Sequence, residues 1–305
     1  MDASEIRRRR KAIYRNIRTA GLDGYLVLDR ANTLYASGFH CTSSYMLLTW
    51  DECYFITDFR YIEAARKSVP ESRVILQKDI MKDLAGLIRR LRLKKIGVEC
   101  SLSYGLALQF RDSFKAVELI ASDYPLTNAR IRKSKKEIDI IRQSVHLADA
   151  AYIDLCGDIE EGWTEVQVRN RLRRLIERHA GDKESFDSII ATGANASRPH
   201  AVPGETALKR GDVLQVDTGL IYGNYCSDLS RIMSVGRPSE KLRKIHQIVV
   251  DAQRRAIDAI RPGAKAKDVD AKAREFIAKK GYGKNFGHGT GHGVGYFLNV
   301  HEGPM

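Results

Sequence analysis

The most informative part of the sequence is a glycine- and histidine-rich run, Gly287-His288-Gly289-Thr290-Gly291-His292-Gly293-Val294-Gly295, which is followed by Val300-His301-Glu302. Three of the eight histidines of the chain fall within fourteen residues here. So many glycines weaken any regular element, and we therefore expect this backbone to be kept open for the close approach of a ligand or a metal ion. An ordinary surface loop with incidental histidines is the alternative. The run contains neither the G-x-G-x-x-G spacing of a dinucleotide site nor the H-E-x-x-H motif of a zinc protease.

Two aspartates lie upstream of this run on a predicted β-hairpin. The first strand alternates apolar and polar residues and ends at Asp217, and the second strand contains Asp228. A turn of Tyr222-Gly223 would place the two carboxylates directly opposite each other, whereas a turn of Gly223-Asn224 would place them on a diagonal of the same face. Directly opposed Cβ atoms lie about 4.5–5.5 Å apart. The two metal ions of a dinuclear hydrolase, about 3.5–4 Å apart, fit between such carboxylates.

A third candidate element precedes the hairpin. His200 lies between Pro199 and Pro203 in a segment that reads as a loop. Proline restricts the backbone of such a loop, and loops frequently carry binding groups. Such a loop suits a substrate-binding group, and an ordinary surface loop residue is the alternative that His200 taken alone favours.

These blocks resemble, in order and in spacing, the pita-bread metallopeptidases, the group of Xaa-Pro aminopeptidases, prolidases and methionine aminopeptidases. The matching pieces are Pro199-His200, Val216-Asp217-Thr218-Gly219, Tyr225-Cys226-Ser227-Asp228-Leu229-Ser230-Arg231 and the histidine run. The ending Phe297–Pro304 most resembles the aminopeptidase P branch. The residues before about 125 resemble the amino-terminal domain of creatinase, prolidase and aminopeptidase P, so the resemblance covers nearly the whole chain.

The resemblance implies a role for each candidate residue. The residues that match metal ligands are Asp217, Asp228 and His292, with Asp228 bridging two ions. The residues that match non-ligand histidines lining the substrate site are His200, His288 and His301. Either His301 or His200 is expected to donate a hydrogen bond to the developing oxyanion. His301 lies nine positions after His292, which is an odd number, so a regular strand would turn His301 to the other face and a bend near Tyr296–Asn299 is required.

The implied activity is that of a metal-dependent exopeptidase, which cleaves the peptide bond before proline with a hydroxide that two divalent metal ions activate. An Xaa-Pro aminopeptidase is the main expectation, and an Xaa-Pro dipeptidase (prolidase) is the closest alternative. Manganese is the preferred ion because oxygen-rich ligation with one imidazole suits hard cations, and cobalt or zinc would also fit. The substrates would be proline-containing peptides, and a homodimer is compatible with the family. A non-catalytic pita-bread scaffold that binds peptide or protein, and a nucleic-acid-associated protein on the same fold, are the alternatives from other classes.

The chain is expected to form two domains. Residues 1–125 alternate predicted strands and helices and read as an α/β domain. Its predicted strands are Tyr25–Leu28, Leu34–Ala36, Tyr45–Thr49, Cys53–Thr57, Val74–Leu76 and Ile96–Glu99. Its predicted helices are Ser4–Ala20, Arg60–Lys67, Ile80–Leu91 and Tyr104–Phe114. Residues 126–305 are expected to form an α+β catalytic domain, in which long helices cover a curved, mostly antiparallel sheet.

Composition limits the remaining possibilities. The net charge of +13 raises the question of a nucleic-acid partner. Ile6, Ile13 and Ile17 recur at helical spacing through the basic run Arg7–Lys11, so we assign that run to the solvated face of a helix and expect no specific nucleic-acid binding. We also expect no membrane span and no signal peptide. The five scattered cysteines are expected to be reduced thiols of a cytoplasmic protein.

A last expectation concerns the end of the chain at Met305. The family pattern continues with two more strands, each of which supplies a glutamate ligand. The resemblance therefore predicts a fragment of a longer peptidase or a truncated product, which binds metal weakly and hydrolyses Xaa-Pro peptides poorly. A naturally shortened scaffold is the rival interpretation.

Overall fold

The structure is a computed structural model that describes residues 2–180 and 183–304. It divides into two compact units, Met1–Arg132 and Lys133–Met305. The division lies beyond the predicted boundary after residue 125 because a helix at Tyr124–Ile131 belongs to the first unit. There, the Asn16 side-chain amide donates a hydrogen bond of 2.9 Å to the Pro125 carbonyl.

The first unit is built on a six-stranded sheet. Its strands are β1 (Gly24–Val27), β2 (Ser44–Leu48), β3 (Cys53–Thr57), β4 (Arg73–Leu76), β5 (Lys95–Val98) and β6 (Glu118–Ala121). Their order is β4-β3-β2-β1-β5-β6, in which β2 is antiparallel to both of its neighbours and the other pairs are parallel. The helices are α1 (Ala3–Thr19), α2 (Arg30–Ser37), α3 (Ile62–Ser68), α4 (Ile80–Arg90), α5 (Tyr104–Ser113) and α6 (Tyr124–Ile131).

One predicted strand of this unit is wrong. Residues Leu34–Ala36 belong to helix α2. The Asp29 side chain accepts a hydrogen bond from the Asn32 amide at the start of this helix, and Gly38 closes it with a φ of 70°. A short apolar run does not distinguish a strand from a buried helix by its periodicity, so these two caps decide the structure.

The basic run of α1 is only partly solvated. Arg9 and Arg10 are buried. The Arg9 guanidinium lies 4.2 Å above the centre of the Tyr35 ring. Arg10 donates to the carbonyls of Ala36 and Pro70 at 2.7 and 2.6 Å. These two arginines therefore stabilise the interior of the first unit, contrary to their assignment to the solvated face.

The second unit combines four helices with short antiparallel strands among its described residues. The helices are α7 (Lys135–Asp158), α8 (Glu165–Ala180), α9 (Glu240–Asp258) and α10 (Ala266–Lys279). The strands are β7 (Ile189–Thr192), β8 (Val213–Thr218), β9 (Ile221–Tyr222), β10 (Tyr225–Cys226), β11 (Leu229–Ser234), β12 (Gly293–Val294) and β13 (His301–Glu302). The strands pair as a three-stranded sheet in the order β11-β8-β7 and as the pairs β9-β10 and β12-β13.

Helices α7 and α8 cover one face of the three-stranded sheet. Leu214 and Val216 of β8 are fully buried in a core that includes Leu155 of α7 and Leu172 of α8. Because side chains alternate along a strand, Asp217 lies on the other face. Helices α9 and α10 pack on each other through a second, smaller apolar cluster. None of the helices among the described residues combines the length and the apolar character that a membrane crossing requires.

Candidate metal centre

The aspartate hairpin, which we define as residues 213–234, reverses at Gly223-Asn224. These two residues have φ values of 55° and 69°, as a two-residue type I′ turn requires. Tyr222 pairs with Tyr225, and farther along the ladder Asp217 pairs with Ser230. Asp228 therefore lies on the diagonal of Asp217, which is the second of the two arrangements that the sequence allowed.

The histidine hairpin, which we define as residues 292–302, is much shorter, and His292 directly precedes its first strand. Strand β12 pairs with β13, so that Val294 lies opposite His301. Between them the chain turns at Phe297, which has a φ of 57°, and the Asn299 amide donates to the Tyr296 carbonyl at 3.1 Å. The predicted bend is thus present, and it brings the His301 ring to 3.9 Å from the His292 ring, measured between centroids.

The two hairpins place one carboxylate and two imidazoles together. Asp228 Oδ2 lies 3.4 Å from Nε2 of His292 and 3.7 Å from Nε2 of His301. Donor atoms of these three residues, which we call the Asp228 group, lie within 4.8 Å of one another. Carboxylate oxygen and imidazole nitrogen are ligands of divalent transition-metal ions, so this donor set fits such an ion. His301 lies about as near to Asp228 as His292 does, and its assignment as a non-ligand rests on the resemblance alone.

The electrostatics of Asp217 agree with this fit. Burial raises the pKa of the Asp217 carboxyl above its usual range, and the neighbouring Asp228 carboxylate raises it further. A hydrogen bond of 2.8 Å from the Ser230 hydroxyl and the nearby His301 and His200 rings oppose this rise. A divalent cation beside Asp217 and Asp228 would favour the charged form of both acids.

His288 lies outside this group, although it belongs to the same glycine-rich run. Its ring packs edge-on against Phe286, with 5.0 Å between centroids, and its Nδ1 lies 2.7 Å from the Gly289 carbonyl oxygen. Helix α10 holds this part of the run, because Arg274 donates to the His288 carbonyl at 2.7 Å. Among the described residues, the donors that lie within 4.8 Å of one another belong to Asp228, His292 and His301, so the substrate-site role of His288 stays a prediction.

The glycines of the run have two different environments. A Cβ atom added at Gly287, Gly289 or Gly291 would meet nothing within 4 Å. At Gly295 it would lie 1.8 Å from the Asn299 carbonyl oxygen, and at Gly293 it would lie 2.4 Å from the Gly303 carbonyl oxygen. The last two glycines therefore allow a close approach of protein backbone, rather than of a ligand as the sequence suggested.

His200 lies in a loop that one buried carboxylate closes. Glu165, the first residue of α8, is fully buried. Its Oε1 accepts hydrogen bonds from the Thr192 amide at 2.8 Å and the Asn195 side-chain amide at 3.1 Å, and its Oε2 accepts from the Gly204 amide at 2.9 Å. His200 is exposed and close enough to lower the pKa of Asp217. Sequence reasoning missed this role of Glu165, since its partners are 27 to 39 residues away.

Two family models match the chain. One, described as metallopeptidase family M24, matches residues 139–305, and one described as the creatinase/prolidase N-terminal domain matches residues 9–132. The chain belongs to metallopeptidase family M24. The predicted family and fold class are confirmed, and membership in this family implies divalent metal ions.

Individual relatives extend this finding over nearly the whole chain. An Xaa-Pro dipeptidase of Pyrococcus horikoshii is 34% identical over 286 residues, which are 93% of this chain and 79% of the relative. The solved structure of an Xaa-Pro dipeptidase from Bacillus anthracis matches with a TM-score of 0.93 and 32% identity, over 98% of this chain and 84% of that one. An X-Pro aminopeptidase from Thermotoga maritima matches with a TM-score of 0.85 and 33% identity, over 95% of this chain and 84% of that one.

Proposed function

We propose that this metallopeptidase hydrolyses the peptide bond before proline in dipeptides, as an Xaa-Pro dipeptidase. The observation that carries the proposal is the convergence of Asp228, His292 and His301 beside Asp217, in a chain of family M24. The relatives named as Xaa-Pro dipeptidases match nearly the whole chain. They favour the dipeptidase alternative over the aminopeptidase that the ending Phe297–Pro304 suggested.

We further propose that Asp217, Asp228 and His292 hold two divalent ions, with manganese preferred and cobalt or zinc as substitutes. The acidic side chains are suited to hard cations, and the single imidazole is compatible with all three metals. When bound, such ions polarise a substrate carbonyl and lower the pKa of a water molecule.

The side chains around the ions would orient the substrate. His301 is exposed and has its Nε2 beside Asp228, so it can donate a hydrogen bond to the negative charge that develops on the scissile carbonyl oxygen. His200 would approach from the loop that Glu165 closes. The Ser230 hydroxyl, bonded to Asp217, helps to keep that carboxylate ionised and oriented.

An Xaa-Pro aminopeptidase is the second candidate, because the Thermotoga maritima structure with that activity in its description is also similar over 95% of this chain. The two activities differ in substrate length. A dipeptidase requires a substrate with a free carboxylate on proline, whereas an aminopeptidase accepts residues beyond proline. A non-catalytic scaffold would have no need for the convergent donors of the site.

The test compares hydrolysis of Ala-Pro and Ala-Pro-Ala by the protein, with and without manganese. We expect manganese-dependent cleavage of Ala-Pro, slower cleavage of Ala-Pro-Ala, and no cleavage by Asp228→Ala. Asp258→Ala, an exposed aspartate on α9, is the matched control and should behave like the wild type. Faster cleavage of the tripeptide would favour the aminopeptidase. Equal rates for the wild type and Asp228→Ala would contradict both.

A further inference from the structure

Glu137, near the N-terminus of α7, has a buried carboxylate that accepts hydrogen bonds both from the start of this helix and from the aspartate hairpin. Glu137 Oε2 accepts a hydrogen bond from the Ser134 amide at 2.6 Å, and the Glu137 amide donates to the Ser134 hydroxyl at 3.2 Å. This is a capping box. Glu137 Oε1 accepts a further bond, of 2.6 Å, from the Tyr225 hydroxyl. Because Tyr225 lies three residues before Asp228, the carboxylate fixes the start of α7 to the aspartate hairpin.

The residue before this capping box contacts the other hairpin. Nζ of Lys133 lies 3.1 Å from Oε2 of Glu302, and the two side chains are only 14% and 9% exposed. Glu302 directly follows His301 in β13. A buried ion pair contributes little net stability, because the loss of hydration offsets the attraction. It is nevertheless costly to break from one side, so it holds β13 at a defined position.

The two hairpins also contact each other near these anchors. The rings of Tyr225 and Tyr296 pack edge to face, with 4.9 Å between centroids. The Cys226 amide donates to the Gly295 carbonyl at 3.3 Å, and the Phe297 amide donates to the Asn224 carbonyl at 2.8 Å. The start of α7, the aspartate hairpin and the histidine hairpin thus form a closed set of contacts. Asp228, His292 and His301 meet where the two hairpins come together.

We propose that Lys133 and Glu137 are positioning residues, which fix the histidine hairpin relative to the aspartate hairpin and so set the donor geometry of the candidate metal centre. This inference rests on the proposed function, since it concerns the same site. The inference that outside contacts are needed follows from the small number of residue pairs in the histidine hairpin. A pair of strands with two residue pairs is not stable on its own, so contacts outside it must define its position.

The first test measures manganese affinity by isothermal titration calorimetry. Lys133→Met removes the cation, and Tyr225→Phe removes only the hydroxyl that bonds Glu137. Substitution of groups that orient metal ligands typically weakens metal binding about 10–100-fold, and we expect Lys133→Met to fall in that range, with Tyr225→Phe changed in the same direction. Lys133→Arg keeps the positive charge and should retain most of the affinity.

Two matched controls separate positioning from general stability. Arg171→Met breaks an ion pair with Asp158 at 2.7 Å, and Tyr25→Phe removes a tyrosine hydroxyl that donates to the Ser122 carbonyl at 2.7 Å in the first unit. Among the residues that the structure describes, neither forms an ion pair or a hydrogen bond with a hairpin of the candidate site. Both variants should bind manganese as the wild type does. If affinity changed in the controls as much as in Lys133→Met and Tyr225→Phe, the inference would be wrong.

The second test needs neither bound metal nor activity. Hydrogen–deuterium exchange of the metal-free protein should speed up in residues 293–302 of Lys133→Met and Tyr225→Phe, but not in the two controls. Unchanged exchange in these residues would overturn the inference. A wild type that binds manganese but fails to cleave Ala-Pro would count against the dipeptidase proposal alone. A wild type that binds no manganese would leave the positional claim to be decided by the exchange measurement.

Discussion

The aspartate hairpin and the histidine hairpin supply the same candidate site but are held in place in different ways. Strands β8 and β11 of the first pair along six residues, and its type I′ turn is encoded by Gly223-Asn224. The second has two residue pairs. It contacts a lysine at the start of the unit and the first hairpin, and helix α10 contacts the glycine-rich run shortly before it.

This contrast shows that local interactions define one hairpin of the candidate site, whereas long-range contacts define the position of the other. A long hairpin with a defined turn sets the spacing of its own side chains. A glycine-rich segment has little conformational preference, so its histidines acquire a position only from contacts made elsewhere. Changes in the aspartates should therefore affect the metal directly, whereas changes around the histidine hairpin should affect geometry and stability.

The largest expected effect is that of Asp228→Ala. We expect this variant to lose metal at both positions, because a ligand that bridges two ions, as the resemblance implies for Asp228, would serve both, whereas Asp217→Ala should mainly affect one. Metal content measured by plasma mass spectrometry after manganese loading and desalting checks this. Two ions retained after Asp228→Ala would show that Asp228 is not required to bind either ion.

His301→Ala should lower turnover far more than metal content. Loss of one oxyanion donor costs on the order of 10²–10³ in turnover. His288→Ala is the control from the same run, and it should have a smaller effect because His288 packs on Phe286, outside the Asp228 group. Steady-state rates and manganese content of both variants are measured together. Loss of metal from His301→Ala would instead make His301 a ligand.

A pair of glycine substitutions tests whether the histidine hairpin depends on close backbone contact. Gly295→Ala places a Cβ against the Asn299 carbonyl and should reduce the free energy of unfolding by about 1–3 kcal/mol, as overpacking does. Gly289→Ala has open space and should leave it nearly unchanged. Thermal unfolding of the metal-free proteins distinguishes them. Equal midpoints would mean that the turn adjusts without cost.

The smallest expected effect concerns Asp270 and Arg274 of α10, which form hydrogen bonds with the glycine- and histidine-rich run. The hydrogen bond from Arg274, with further bonds from Thr290, lowers the pKa of the Asp270 carboxyl from 3.8 to about 2. A carboxyl whose pKa is lower in the folded state stabilises the fold above its ordinary pKa, and this contribution is lost as the pH falls towards about 2. The unfolding midpoints of the wild type and Asp270→Asn should therefore differ between pH 5 and 7 and converge towards pH 2. A difference that persists at pH 2 would contradict this role.

The same division between local and long-range interactions explains what the sequence could predict. The aspartate hairpin and strand β3 follow from local patterns, and both are present as predicted. Residues Leu34–Ala36 were assigned to the wrong element because their apolar pattern is too short to decide.

What the sequence could not predict depends on distant residues. The ion pair of Lys133 with Glu302 joins residues that are 169 positions apart. Arg274 of α10 donates to the carbonyl of His288, which lies 14 positions farther along the chain, and neither of these two contacts leaves a periodic signal. The metal-ligand roles of Asp217, Asp228 and His292 stay predictions from the resemblance.

The central claim is that the two hairpins together bind one metal centre, and anomalous diffraction from crystals of the wild-type chain soaked in manganese tests it most directly. The account predicts an anomalous peak within coordination distance of both the Asp228 carboxylate and the His292 imidazole, and no such peak in crystals of Asp228→Ala. A peak bound by only one of the two hairpins, or a peak that persists in Asp228→Ala, would contradict it.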